Sequence, residues 1–454
     1  MNPPSAEREF VRAISDPDRI EMQLHRLAAR ARGARVARLV QDGVRLRRLV
    51  EEPRRTSRLL GRALADGSFA PSAVTLRAAR IGSKERLLAV LAPLDLVAHA
   101  VIADELARRM EPHLSPQLFS YRRGRSSWTA LRAVARGVSR HRRAHADPRA
   151  RGLFVLRADV QDYTDSWPIH DGAPLWPELQ ALTGLDDAGA HWFMLRRLLV
   201  PEIVAAGAPV GESSPPPPVG VERRGVLFGA PTTNVLANLY LAPLDAEMSA
   251  VPGLLYARFG DDVFCGHPDL GVLRAAQASL EAILLARGLR LNQRKVRVLF
   301  WNGAGRRSPS APQIEGAREV AFLGGAVSFS GGIALAPRRW SALVGDLRAR
   351  VRRTAAVLRA SSSPPPPGDS ELAQALVDVV NQSLSIDEPL ATDYAPLLAG
   401  LVSDRRQLAE LDRLLALWIA EAVSQRPGVR AFRDSPWRRL RALGLPSLVK
   451  ARNG

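Results

Sequence analysis

The sequence is 454 residues long and 46% apolar, enough for two or three domains with a substantial core, which excludes a wholly disordered chain. Its 64 Lys and Arg against 45 Asp and Glu leave a net charge of +19, and a chain this basic is expected to meet a polyanion, of which nucleic acid is the commonest. The single cysteine, Cys265, excludes an internal disulfide and a cysteine-rich zinc site.

From the N-terminus, residues 5–65 read as Arg-rich amphipathic helices, preceded by no apolar signal-peptide core. Residues 74–86 have the mixed pattern of a short hairpin, and 87–110 read as a well-buried helix with a kink or restart at Pro93. Pro93, Asp95 and His99 interrupt this most apolar stretch, so no membrane span is expected, and a reducing cytoplasm is the expected location. Residues 140–151 are a basic, polar loop. The apolar run 152–158 ends in Asp159 and reads as a buried strand. A helical segment follows over 174–199, then a proline-rich spacer at 213–218. Residues 232–249 read as a helix with a kink at Pro243, and 254–259 and 263–265 as two strands around Gly260-Asp261-Asp262. A helix over 273–287 is closed by Gly288, and 320–329 is a further strand. The C-terminal part is helical over 338–359, 371–384 and 405–424, with a second proline tract at 364–367.

Two features carry chemistry. Asp159 ends one apolar strand, and Asp261 and Asp262 occupy the tip of an apolar hairpin. Adjacent carboxylates repel unless a cation lies between them, and the natural counter-ion is Mg²⁺, a hard cation that takes oxygen ligands and binds phosphates. The second feature is lysine usage: Lys84, Lys295 and Lys450 are the only lysines among the basic residues. Where charge alone matters the chain uses Arg, so a retained Lys marks a place where a proton that can leave is of use.

Six ordered blocks extend this reading. Asp159-Val160-Gln161-Asp162-Tyr163-Thr164 resembles the first metal-binding motif of reverse transcriptases. Gly229-Ala230-Pro231-Thr232-Thr233-Asn234 resembles their following Gly turn and helix, and Tyr256-Ala257-Arg258-Phe259-Gly260-Asp261-Asp262 their Asp-Asp hairpin. Gly288-Leu289-Arg290-Leu291-Asn292-Gln293-Arg294-Lys295 is similar to the segment carrying a lysine near the triphosphate, and Phe322-Leu323-Gly324 to the primer-grip turn. Upstream, Ser120-Tyr121-Arg122-Arg123-Gly124-Arg125-Ser126 resembles a fingers motif of the bacterial branch: retron, group II intron-like and defence-associated enzymes.

The resemblance implies an α+β right-hand polymerase. It would have an N-terminal helical region over 1–73, fingers over 74–150, a palm with an antiparallel sheet over 151–330, and a helical thumb with an extension over 331–454. It implies an RNA-directed DNA polymerase using two Mg²⁺ ions, with Mn²⁺ as a substitute, held by Asp159, the Val160 carbonyl, Asp261 and Asp262. Lys295 would assist pyrophosphate departure. Lys84, Arg86, Tyr163, Thr164 and Gly229 would bind the dNTP. Arg122, Arg123, Arg125, Phe322, Leu323 and Gly324 would bind nucleic acid. The partners implied are an RNA template, a DNA or RNA primer and dNTPs, with a dedicated non-coding RNA or a neighbouring-gene protein in a retron-like or antiphage-defence setting. Departures bear on sugar choice: Thr164 stands where a bulky aromatic usually blocks a 2′-hydroxyl, with Tyr163 beside it, and Phe259-Gly260 replaces the commoner Tyr-Ala. The alternatives are an RNA-dependent RNA polymerase, untemplated or protein-primed synthesis, and a silent RNA-binding scaffold.

Overall fold

The computed structural model describes residues 5–33, 46–81, 84–145, 152–204, 224–227, 229–360, 368–384 and 402–449. Both proline tracts lie outside the described residues. The fold is mixed α+β, in two compact units. Unit 1 comprises Met1–Ser126, Leu156–Cys265 and Leu270–Arg297; unit 2 comprises Ser127–Val155, Gly266–Asp269 and Val298–Gly454.

In unit 1 the N-terminal region forms helices because its apolar residues recur four apart: Phe10 with Ile14, Ile20 with Leu24, and Leu60 with Leu64 are all buried. Asp16 caps helix Pro17–Gly33, its carboxylate accepting from the Asp18 N–H at 2.9 Å. Arg109 ties this layer to helix Pro93–Met110, reaching the Ala6 carbonyl at 3.1 Å and lying over the Phe10 ring. Strands Val74–Ile81 and Lys84–Val90 form the expected hairpin, in register from Thr75 opposite Val90 to Ile81 opposite Lys84. The hairpin is longer than the sequence suggested. Residues 87–90 are strand, not helix, and Pro93 is the helix start itself, because its fixed φ suits the first turn while its missing N–H needs no partner there. That helix is buried on most of its faces, as its composition predicts.

The expected long helix over 232–249 is two helices, Pro231–Tyr240 and Ala242–Ala250, broken at Leu241 just ahead of Pro243. Likewise 174–199 divides into Leu175–Thr183 and Ala190–Leu199, the first ended by Gly184 at φ 74°. Strands Leu255–Phe259 and Asp262–His267 are neighbours joined by a two-residue turn, a connection only antiparallel strands can make. Strand Leu153–Asp159 lies beside the second of them. Helix Leu270–Ala286 follows, ended near Gly288 as expected.

Unit 2 holds helix Ser127–Ala144, which covers residues expected to be loop. The strand expected over 320–329 is a hairpin, Glu319–Phe322 with Gly325–Ser328, turning at Leu323 and Gly324 with φ 48° and 76°. Two consecutive left-handed residues are the turn that matches strand twist, which a hydrophobic pattern alone does not announce. Strand Ile333–Leu335 completes this antiparallel sheet. Its open edge is closed by side chains: Gln407 both accepts from the Leu335 N–H and donates to its carbonyl at 2.8 Å, and Ser403 accepts from the Ile333 N–H. Helices Pro337–Ala360, Asp369–Leu384 and Arg405–Ser424 pack together beyond it through buried Leu347, Leu376 and Leu415. Not every pairing is antiparallel: Arg297–Trp301 pairs parallel with Gly316–Ala317. Among the described residues, no helix is long and apolar enough to cross a membrane.

Candidate active site

The site lies in unit 1, where three segments meet through backbone hydrogen bonds. The Val160 N–H donates to the Asp261 carbonyl at 3.1 Å, joining the end of the first strand to the hairpin turn. The Asn292 N–H donates to the Asp159 carbonyl at 2.8 Å and the Gln161 N–H to Arg290 at 2.9 Å, bringing in the segment that carries Lys295. Val160 itself is buried and bridges to Leu291. Asp159, Asp261, Asp262 and Lys295 are thus brought together although up to 136 positions separate them.

Their electrostatics follow from that crowding. Burial, then the charges of Asp261 and Asp159, push the Asp262 carboxyl up to about 7, with Lys295 and Arg157 opposing. Lys295 Nζ donates to Asp159 Oδ2 at 2.6 Å, and Asn292 Nδ2 reaches Asp159 Oδ1 at 3.4 Å. Arg157 carries a buried Nε with no hydrogen-bond partner. Carboxylate oxygens are the hard donors that a divalent cation of the Mg²⁺ type takes. Among the described residues, however, no group of three His, Cys, Asp or Glu is arranged to hold a metal ion, and Asp159 gives one oxygen to Lys295.

The turn is braced from beneath. Gly260 sits at φ 62°, which glycine adopts without a Cβ penalty. Arg258, fully buried, donates Nη1 to the Gly260 carbonyl at 2.9 Å and grips Asp245 through Nε at 2.7 Å and Nη2 at 2.6 Å. Tyr256 donates to the same Asp245 at 2.7 Å. Asp245 holds the guanidinium charged against the cost of burial. Neither residue was singled out from the sequence; the signal was a charged residue inside the apolar run 254–259.

Tyr121 was also passed over. Residues 117–119 add along strand Leu255–Phe259, the Phe119 N–H donating to Arg258 and the Arg258 N–H to Gln117. This carries Tyr121, at φ 52°, to within 6.2 Å of the Phe259 ring, ring centre to ring centre.

Other expected residues take different places. Tyr163 is buried, its hydroxyl donating to the Ala237 carbonyl at 2.6 Å and its ring set edge-on to Trp167. It belongs to an aromatic core in which Trp167 stacks on Tyr240, so its hydroxyl is spent, and Thr164 beside it is half-buried. Gly229, at φ 102°, follows a segment bonded to this region by the Val226 N–H to the Thr164 carbonyl at 3.0 Å. Arg122, expected on nucleic acid, is instead a brace, donating to the Ser115 and Leu118 carbonyls and paired with Glu111. Arg125 donates to the Pro116 carbonyl and lies over the Phe119 ring. The loop's own carbonyls need these donors. Arg123 is exposed. Lys84 and Arg86 stand opposite Ile81 and Ala79 in the hairpin register, and their side chains lie outside the described residues. Phe322, Leu323 and Gly324 belong to unit 2, where a Cβ on Gly324 would collide with the Arg339 guanidinium.

No family model matches the sequence, and no curated protein matches it. Among solved structures it is similar to apo telomerase from Candida tropicalis, with TM-score 0.44 and 9% identity over 84% of this chain and 62% of that one. A form of the Candida tropicalis enzyme truncated from its C-terminal domain gives 0.43 and 7% over 59% and 56%. Telomerase from Candida albicans in complex with a TWJ fragment of telomeric RNA gives 0.40 and 12% over 83% and 64%. The chain spans less than two thirds of each of these proteins, and at this degree of likeness no activity passes from them to it.

Proposed function

We propose that this chain is a nucleotidyl transferase of the reverse-transcriptase type, an RNA-directed DNA polymerase. The observation that carries the reading is the convergence of Asp159 with Asp261 and Asp262, through the Val160 to Asp261 hydrogen bond, in the motif order of that family.

Asp159, Asp261, Asp262 and the Val160 carbonyl would hold two Mg²⁺ ions, or Mn²⁺ in their place. When bound, the ions would lower the pKa of a primer 3′-hydroxyl and balance charge on the departing pyrophosphate. The rest falls to the protein. Asn292 and Lys295 hold the Asp159 carboxylate in place. Arg258 holds the Gly260 turn and so aims both neighbouring carboxylates. Lys295, half-exposed, offsets the charge of Asp159 and would yield a proton to a leaving phosphate oxygen. Lys84 and Arg86 would grip the triphosphate, and Thr164 and Gly229 would line the sugar and base. The expected partners are an RNA template, a DNA or RNA primer and dNTPs. A dedicated non-coding RNA or a neighbouring-gene protein fits the retron-like or defence setting.

Primer extension on an RNA template tests the site. The Asp261→Ala, Asp262→Ala double variant should lose synthesis by roughly a thousandfold or more, as when transition-state charge loses its stabilisation. Full activity in that variant would overturn the assignment. The inward turn of Tyr163 favours a second reading in one respect, sugar choice. With only Thr164 at that position, ribonucleotides should compete, and parallel dNTP and NTP incorporation measures by how much.

A further inference from the structure

Unit 2 contains a concave site that this polymerase chemistry does not use. It is a cavity of about 680 Å³ whose described lining residues belong to unit 2. The floor is apolar: the rings of Phe300 and Phe329 are buried, the first packed on Phe154 at 4.9 Å and the second set edge-on to Trp301 at 5.7 Å. Around this floor stand Arg142, Arg306, Arg307 and Arg318, and among the described residues no Asp or Glu lines the cavity. Asn302, Ser328 and Ser330 complete the lining as neutral polar groups whose side chains are bonded within the protein.

The loop that carries the arginines is built rather than loose. Asn302 Oδ1 accepts from the Ala304 N–H at 3.0 Å and the Arg306 N–H at 3.2 Å, while its Nδ2 donates to the Arg306 carbonyl. Arg318 Nε donates to the Ala304 carbonyl at 3.3 Å, and Arg307 donates to the Pro312 carbonyl at 3.1 Å. One nitrogen of each of these two guanidiniums is spent on orientation, out of the five N–H donors each carries.

We propose that this cavity binds a nucleoside phosphate, either free or as one unit of an RNA or DNA strand. Concave walls with charge of one sign concentrate an anion, and guanidinium planes match phosphate oxygens bidentately. The volume falls in the range that encloses a small ligand, roughly 300 to 1,000 Å³. An inorganic anion would leave the aromatic floor unused, whereas a base engages it. The proposal does not depend on the polymerase reading, since none of the three aspartates lines the cavity.

The test is equilibrium dialysis with the full chain, without divalent metal, using AMP, a short 5′-phosphorylated RNA and inorganic phosphate. Two variants probe the cavity. Arg142→Ala with Arg306→Ala removes two cations whose side chains do not hold the loop. Gly303→Leu fills the cavity from a position where a Cβ meets only the Phe329 ring, at 3.9 Å. Circular dichroism confirms that each still folds, and Asp261→Ala with Asp262→Ala serves as the control. Saturable AMP binding, weakened roughly tenfold or more by each cavity variant as charge-assisted hydrogen bonds are lost, and unchanged in the control, supports a free-nucleotide site. The same variant pattern with the RNA alone, AMP remaining silent, supports a strand unit. Inorganic phosphate binding as tightly as either, or binding unmoved by both cavity variants, overturns the proposal. Failure of primer extension leaves this assay intact, so the two readings fail separately.

Discussion

Asp262 is the residue at which folding and proposed chemistry conflict. Its carboxyl is pushed up to about 7 by burial and by Asp261 and Asp159, so the folded state holds its proton more tightly than the unfolded chain does. The sign follows: protonation favours the fold, and stability from this group declines as pH rises from the ordinary carboxylate range through about 7. Asp262→Asn should therefore raise the melting temperature at neutral pH in metal-free buffer while abolishing synthesis, the trade expected where a site stores repulsion for function. A fall in melting temperature would contradict this account. Mg²⁺ should raise the melting temperature of the parent chain, by about 1.4 kcal/mol of stability near ten times its dissociation constant, and much less in Asp159→Asn. Arg258 is the structural counterpart. Arg258→Met strands the buried Asp245 and should cost about 3–5 kcal/mol in urea unfolding. Pairing it with Asp245→Leu should restore part of the loss without restoring synthesis, because the Gly260 carbonyl has still lost its donor.

At the scale of the element, helix Pro93–Met110 buries three ionisable groups, Asp95, His99 and Glu105, and the last two titrate over different ranges that overlap only below 4.5. Burial holds His99 neutral, down to about 3, with its Nδ1 against the Thr232 hydroxyl at 2.8 Å. A base whose folded pKa is depressed opposes protonation, so stability falls as pH drops from 6.5 toward 3. Burial raises the Glu105 carboxyl, but hydrogen bonds from Arg108, Arg109 and Arg19 outweigh it and bring it down to about 2. Its contribution is present above its ordinary value of 4.5 and is lost as pH falls through 2. Between pH 6.5 and 4.5 the difference between the parent and His99→Asn should thus slope by up to about 1.4 kcal/mol per pH unit, with the variant the less pH-sensitive. Parallel stability curves would sink that assignment. Elements also show where pattern reading stops. The helices of residues 338–359 and 405–424 were legible because long runs of apolar residues at helical spacing leave one solution. Residues 87–90 were not, because a short apolar run suits strand and helix equally, and the pairing of Val90 with Thr75 decided it.

For the whole molecule, a net charge of +19 makes association with nucleic acid depend steeply on salt. Raising salt from about 50 to 200 mM should weaken template-primer affinity by roughly a thousandfold if six or more phosphates are contacted. A flat profile would show that the arginines are occupied internally. Several are, and nothing in the sequence said which. Arg122 and Arg125 look like their exposed neighbour Arg123, yet Arg122 is spent on two loop carbonyls and Glu111, and Arg125 gives one nitrogen to the Pro116 carbonyl. Composition brought out a basic chain, spacing brought out three aspartates worth pairing, and the α+β class was what the resemblance implied, since residue type and spacing are local properties that survive without coordinates. The inward turn of Tyr163, the Arg258 brace under Gly260 and the arginine-walled cavity of unit 2 came only from the folded chain. Each depends on which distant groups satisfy a buried donor or leave a charge unmatched, and those partners are chosen by packing between segments far apart in sequence.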